Sequence, residues 1–295
     1  MKRRDFLSLT TLAAGTAALA PLAKAAEATA PAWGQLTKDV KTTRVGFGTG
    51  MRGWQRRSDI TRMGYPKAIE LLRFAYDQGI RLFDCADLYG THDVVAEALK
   101  DKPRDSYTIV TKIWVRPNGI PELERLEPAA MVKRFLQELR TNYIDVVQIH
   151  CMSDTKWTQE YASTMEGLAK LKKEGVIRAH GISSHSNEAA ELAAKTDWCD
   201  TVHLRMNSEG MSMDGPQDNP AKQVEDMVRA AKRVHEAGKG LIAMKVLGEG
   251  KMADKPDLRK KSTEFISRLG AANVMIVGFS EKEHITEFLS NVPPA

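Results

Sequence analysis

Cysteine is scarce: the 295 residues contain three, Cys85, Cys151 and Cys199. They form no Cys-x-x-Cys pair and no metal-ligand spacing, and an odd number cannot close into a complete disulfide framework, so buried apolar roles are expected. A bridge between Cys85 and Cys151 is the one pairing to consider if the compartment is oxidising. Long apolar runs are also missing. Past residue 25 none is long enough to cross a bilayer, which points to a soluble body. Nor is there a large excess of one charge. Of the formal +5, Lys2, Arg3, Arg4 and Lys24 against Asp5 account for three, and the remaining charge of about +2 leaves no nucleic-acid footprint. A basic group at Arg52, Arg56, Arg57 and Arg62 reads either as a solvated loop or as an attraction for phosphate or an acidic substrate.

What is present begins with an address. Lys2-Arg3-Arg4-Asp5-Phe6-Leu7-Ser8 precedes a modest Ala- and Thr-rich apolar run, and Ala23-Lys24-Ala25 offers a small-x-small cleavage pattern. The segment resembles a twin-arginine (Tat) export signal, which implies the export machinery as a partner, a mature start at Ala26, a periplasmic location and no stable membrane insertion after cleavage. Residues 26–41 are then an extension, a tether or a lid, and 42–295 the body.

From Thr43 onward the chain repeats a short β-branched or apolar run, a turn and a helix-period segment, the pattern of parallel βα units. About eight such units follow one another, with strands expected at Arg44–Gly48, Arg81–Asp84, Tyr107–Lys112, Ile144–His150, Ile177–Ile182, Thr201–Leu204, Gly240–Lys245 and Val274–Gly278. Helices are expected at Pro66–Gln78, Ala129–Arg140, Thr164–Glu174, Asn187–Ala194, Gln223–Glu236 and Leu258–Leu269, with Gly79, Gly175, Gly238 and Gly270 as C-terminal caps. An open dinucleotide-binding sheet needs Gly-x-Gly-x-x-Gly after its first strand, and Gly46-Phe47-Gly48-Thr49-Gly50 has a different spacing. The fold class is therefore α/β, a single-domain (β/α)8 TIM barrel.

In such a barrel chemistry gathers where the strands end. The second expected strand closes on Asp84 with Tyr89 shortly after, the third on Lys112, the fourth on His150. Each alone has an ordinary explanation: a helix cap, a solvated lysine, a satisfied core histidine. Together an acid, a phenol, an amine and an imidazole at one mouth suit proton donation to a carbonyl. A free phenol is too weak an acid near neutrality, a nearby ammonium stabilises its anion, and a carboxylate holds the ammonium in place. Tyr89 is then the acid, Lys112 its tuner, Asp84 the anchor and His150 the orienter.

Four segments carry a resemblance. Gly79-Ile80-Arg81-Leu82-Phe83-Asp84-Cys85-Ala86-Asp87-Leu88-Tyr89-Gly90, Thr111-Lys112-Ile113-Trp114, Tyr143-Ile144-Asp145-Val146-Val147-Gln148-Ile149-His150 and Gly175-Val176-Ile177-Arg178-Ala179-His180-Gly181-Ile182-Ser183 are similar, in order and spacing, to the aldo-keto reductase superfamily from about residue 43 to 290. The resemblance implies reduction of an aldehyde or ketone by NADPH, with NADH left open, bound across the barrel mouth. It implies the nicotinamide contacts Ser183, Ser184 and His203, where a serine replaces the family's asparagine and a histidine its glutamine. Met244, Lys245, Leu247, Gly248 and Gly250 occupy the family's seventh-strand shelf and turn. At the adenosine end Gly278, Lys282, His284 and Glu287 are implied, without the arginine commonly used for the 2′-phosphate.

Trp54, Trp114 and Met206 fall where the family builds its substrate walls, with Trp157 a further candidate. Methionines of the 206–213 loop near His203 raise copper(I), yet their spacing demands no metal and none is expected. Two functions compete. One is a carbonyl reductase, favoured by the complete proton-transfer group. The other is a binding or regulatory barrel of slow turnover, favoured by the altered cofactor contacts. A hydrolase lacks paired carboxylates at suitable strand ends.

Overall fold

A computed structural model of the chain describes residues 32–294, apart from 122, 124 and 125. The twin-arginine segment and its cleavage site lie outside the described residues. The chain enters through a hairpin, β1 (Trp33–Thr37) and β2 (Val40–Thr43), and continues into β3 (Val45–Gly48), α1 (Asp59–Arg62), α2 (Tyr65–Asp77) and β4 (Leu82–Asp84). Then come α3 (His92–Leu99), β5 (Thr108–Ile113), α4 (Pro128–Glu138), β6 (Ile144–Met152), α5 (Trp157–Glu160), α6 (Ala162–Lys173) and β7 (Ile177–Ser184). The rest is α7 (Asn187–Ala194), β8 (Thr201–Arg205), α8 (Pro220–Glu236), β9 (Gly240–Met244), α9 (Pro256–Leu269), β10 (Val274–Val277) and α10 (Lys282–Asn291).

Strands β3 to β10 pair in parallel and close on themselves as an eight-stranded barrel, β10 returning to β3. The strands are buried along nearly their whole length because both faces are covered, one by the filled barrel and one by the helices. The helices bury one stripe each: α2 turns Ala68, Leu71, Leu72 and Ala75 inward, and α8 turns Met227, Ala230, Ala231 and Val234. Gly79, Gly175, Gly238 and Gly270 take φ of +94°, +76°, +70° and +68°, the left-handed conformation that ends helices α2, α6, α8 and α9.

Residues 33–43 are neither a tether nor a lid over the mouth. The hairpin plugs the opposite end: Leu36 and Val40 complete a small apolar cluster with Leu82, Val110, Val146, Ala179 and Ile242 of the barrel strands. Thr108 Oγ1 donates to Lys41 O (2.7 Å) and Asn273 Nδ2 to Gln35 O (2.9 Å), which satisfies hairpin carbonyls at the floor. The floor is thus sealed by apolar side chains while the polar strand ends gather at the other rim. No described helix is long and apolar enough to cross a membrane.

Candidate active site

Four side chains meet at the rim. Asp84 ends β4 and Lys112 lies on β5, both buried, and they form a direct ion pair. The Lys112 ammonium also donates to Cys85 O (2.9 Å) and lies 5.2 Å from the centre of the Tyr89 ring. Tyr89 Oη is 3.3 Å from His150 Nε2, the two rings meeting edge to face.

The Tyr89 turn is held from both sides. Beneath it, Asp87 of the same turn is buried and accepts from Arg56 Nε (3.1 Å) and from Arg134 Nη2 (2.7 Å). Above it, Gly50 and Gly53 lie flat on the ring. A Cβ on Gly50 would come within 2.3 Å of Tyr89 Cζ, and one on Gly53 within 2.5 Å of Tyr89 Cδ1, so only glycine leaves the phenol where it stands.

Electrostatics sorts the protonation states. Burial alone would raise the Asp84 carboxyl, but Lys112 and His203 beside it outweigh burial and hold it below its ordinary value. His203 Nε2 is 3.2 Å from Asp84 Oδ1, and burial keeps this imidazole below its ordinary value. Burial first, and then Lys112 and neighbouring His185, push His150 well below the ordinary histidine value, so it is neutral. Burial and the Asp84 charge push the Tyr89 phenol well above its ordinary value. Lys112, paired with Asp84 and 5.2 Å from the ring centre, does not outweigh them. The phenol keeps its proton.

A cavity of about 300 Å³ runs from this group along the ends of β9, β10 and β3. Asp84, Tyr89 and Lys112 line one end, and Met244, Lys245, Leu247 and Gly250 the middle. Gly278, His284 and Glu287 line the far end. The turn after β9 is tight: Lys245 and Glu249 both have φ of +58°, and their side chains close on each other as an ion pair.

Other expected contacts lie elsewhere. Lys282 is turned away onto Glu70 and the face of Phe74, because α10 runs beside α2. Gly248 is buried behind the turn against Met211. Met206 is fully buried in the apolar core, its amide bonded to Met244 O (2.9 Å), and offers no surface to a substrate. Ser184 Oγ donates to Ser186 O (2.6 Å) and is spent on its own turn, whereas Ser183 Oγ is buried without a partner. Trp114 stands edge-on to His150 with centroids 5.2 Å apart, and Trp54, 44% exposed, stands edge-on to Trp114. Trp157 is buried in the core. Three of the four basic residues of the first loop are paired locally, Arg52 and Arg62 with Asp59 and Arg56 with Asp87, while Arg57 is exposed. The three cysteines are free.

The sequence reading missed Arg259. From the first turn of α9 it reaches the cavity wall and donates to Glu287 (Nε 3.1 Å). The available signal was positional: the first turn of a helix following a barrel strand faces the mouth.

A profile of the aldo/keto reductase family matches residues 44–287. The chain belongs to that family. Among its relatives, the aldo-keto reductase YhdN of Bacillus subtilis is 31% identical over 159 residues, 50% of this chain and 45% of that protein. The methylglyoxal reductase DkgB of Salmonella typhi is 28% identical over 167 residues, 55% of this chain and 56% of that protein. The matches thus span about half the length of these curated relatives. Solved aldo/keto reductases share the fold. One from Bacillus halodurans has a TM-score of 0.66 at 19% identity, covering 89% of this chain and 91% of that one. One from Klebsiella pneumoniae, in complex with NADP and acetate, has a TM-score of 0.61 at 19% identity, covering 86% and 88%.

Proposed function

We propose that this aldo/keto reductase reduces an aldehyde or ketone to an alcohol with NADPH, Tyr89 supplying the proton. The observation that carries the reading is the Tyr89 hydroxyl at the end of the cavity, 3.3 Å from His150 Nε2, with the Lys112–Asp84 pair behind it. The relative named as a methylglyoxal reductase acts on a small carbonyl compound, which supports the same class here.

The residues present fit a dinucleotide. The cavity has the Arg259 guanidinium and the His284 imidazole at its far end and a cation in the middle in Lys245, and Ser183 Oγ, at the end of β7, is a buried polar atom with no partner among the described residues. Met244 would cover the nicotinamide face with a thioether where an aromatic ring is usual. Bound NADPH would supply the hydride.

The chain's own residues do the rest. A carbonyl oxygen placed between Tyr89 Oη and His150 Nε2 accepts from both, with His150 in the tautomer that carries its proton on Nε2. As the carbonyl carbon gains hydride, its oxygen takes the phenol proton and the product leaves as the alcohol. The negative charge then on Tyr89 lies beside the Lys112 ammonium, which stabilises it more than it stabilised the neutral phenol. Trp114 and Trp54 present an apolar wall and exclude water from the carbonyl.

Thermal unfolding with NADPH, with NADH and with neither tests the cofactor reading without a substrate. A ligand at about 100 times its dissociation constant adds about 2.7 kcal/mol of stability, which is expected as a rise of several degrees with NADPH. No rise with either cofactor, on protein shown to carry none already, would leave the binding barrel as the better reading. Export by the twin-arginine route is part of the same proposal and rests on residues 2–25 alone. Replacing Arg3 and Arg4 by lysine is expected to leave the full-length precursor in the cytoplasmic fraction, and an unchanged periplasmic pool would refute it.

A further inference from the structure

Among the described residues, several cations at the mouth are paired with carboxylates, and the half-buried Arg116 is not. Lys245 is closed onto Glu249, Arg205 Nη1 lies 3.2 Å from Asp214, and Arg56 and Arg134 converge on Asp87. Arg116, half-buried in the loop after β5, has no carboxylate within 4.0 Å among the described residues. Its Nη1 donates instead to Cys151 Sγ at 3.3 Å. A guanidinium cannot shed its charge, and a thiol is a weak acceptor, so this half-buried cation is electrostatically incomplete.

Its position gives the incompleteness a use. Arg116 follows two residues after Trp114, whose ring meets His150, and its acceptor Cys151 follows directly on His150. The pairing of β6 with β7 slips between Ile149 and Met152, and within the slip Cys151 takes φ of +69°, an uncommon conformation for a residue with a side chain. The slip turns the thiol toward Arg116 and toward His185 Nδ1, also at 3.3 Å. The field on this side is positive. His185 is lowered to about 3, by burial first and then by Arg205, Lys245, Arg116 and Lys112.

Resting on the reductase reading above, we propose that Arg116 binds a carboxylate carried by the substrate, on the Cys151 side of the carbonyl held at Tyr89 and His150. A carboxylate accepts two parallel N–H···O bonds from one guanidinium and replaces the thiol as acceptor, a charge-assisted contact in place of a weak one. One uncompensated positive charge matches one carboxylate. A phosphate dianion would need a second free cation beside Arg116, and the other cations acting on His185, namely Arg205, Lys245 and Lys112, are occupied by Asp214, Glu249 and Asp84. The preferred substrates are therefore aldehyde or keto acids rather than their neutral counterparts.

The test uses the full chain and an Arg116→Met variant, titrated calorimetrically with benzoate, benzamide and phenyl phosphate, with and without NADPH. Alongside, kcat/KM is measured for para-carboxybenzaldehyde and para-carbamoylbenzaldehyde. Benzoate is expected to bind about tenfold tighter than benzamide in the unaltered chain, and the advantage to vanish in the variant together with the preference between the aldehydes. Equal binding of benzoate and benzamide, or an advantage that survives Arg116→Met, would overturn the proposal. Tighter binding of phenyl phosphate than of benzoate would overturn the carboxylate assignment. An Arg116-dependent benzoate advantage in a chain that reduces neither aldehyde would uphold the anion site and remove the reductase reading instead.

Discussion

Tyr89→Phe is expected to lower kcat for carbonyl reduction by about 10³-fold while the dissociation constant for NADPH stays within about twofold. The asymmetry follows from the geometry. The Tyr89 ring fills the space between Gly50, Gly53 and His150, and phenylalanine keeps that packing. Only the hydroxyl is lost, and it acts on the substrate oxygen in the transition state. Stopped-flow turnover with a simple aldehyde and fluorescence titration of the cofactor measure the two quantities separately. Turnover in the variant comparable to that of the unaltered protein would remove Tyr89 from the mechanism.

The second large effect concerns the pair behind the phenol. Asp84→Asn leaves the Lys112 ammonium in a buried position without a counter-charge, since the other partner of Asp84, His203, cannot carry a negative charge. Breaking a buried pair in this way costs about 3–5 kcal/mol, so urea unfolding at neutral pH should show a loss of that size. Adding Lys112→Met in the same chain should restore most of the stability, because neither charge remains, and should restore none of the activity. A double variant as unstable as Asp84→Asn alone would mean that the loss came from altered packing. The pH dependence has a definite sign. The Asp84 carboxyl lies below its ordinary value in the folded chain, so the stability it contributes is complete above the unfolded value of about 3.9. It is lost as pH falls through the lower, folded value.

The barrel was legible because its repeating signal is local. Each strand is a short, mainly apolar run, buried on both faces, and each of the four cap glycines lies within two residues of the end of its helix, so the expected and observed boundaries differ by no more than three residues. What escaped had weak local signals. The floor hairpin buries only Leu36, Val40, Thr42 and Thr43 and shows no sustained alternation. Helix α3 buries six of its eight residues, so it has no polar face to reveal a helical period.

The site divides along the same line. Asp84, Lys112 and His150 come from strands, where the end of an apolar run identifies the rim, and Tyr89 follows in a turn that glycines and Asp87 hold in place. The cofactor end was read less well. The partner of Lys282 is Glu70, and that of Arg259 is Glu287; both pairings are set by how helices pack around the closed barrel, which sequence spacing does not encode. The contact of His203 with Asp84 likewise needs the barrel interior to bring β8 across to β4.

The central claim is tested most directly by supplying NADPH with deuterium at its transferable position, together with an aldehyde, and examining the alcohol by mass spectrometry. The account predicts one deuterium on the carbinol carbon from the unaltered chain and only traces from Tyr89→Phe. No deuterated alcohol from the unaltered chain, across a panel of neutral and carboxylate-bearing aldehydes and ketones, would contradict it.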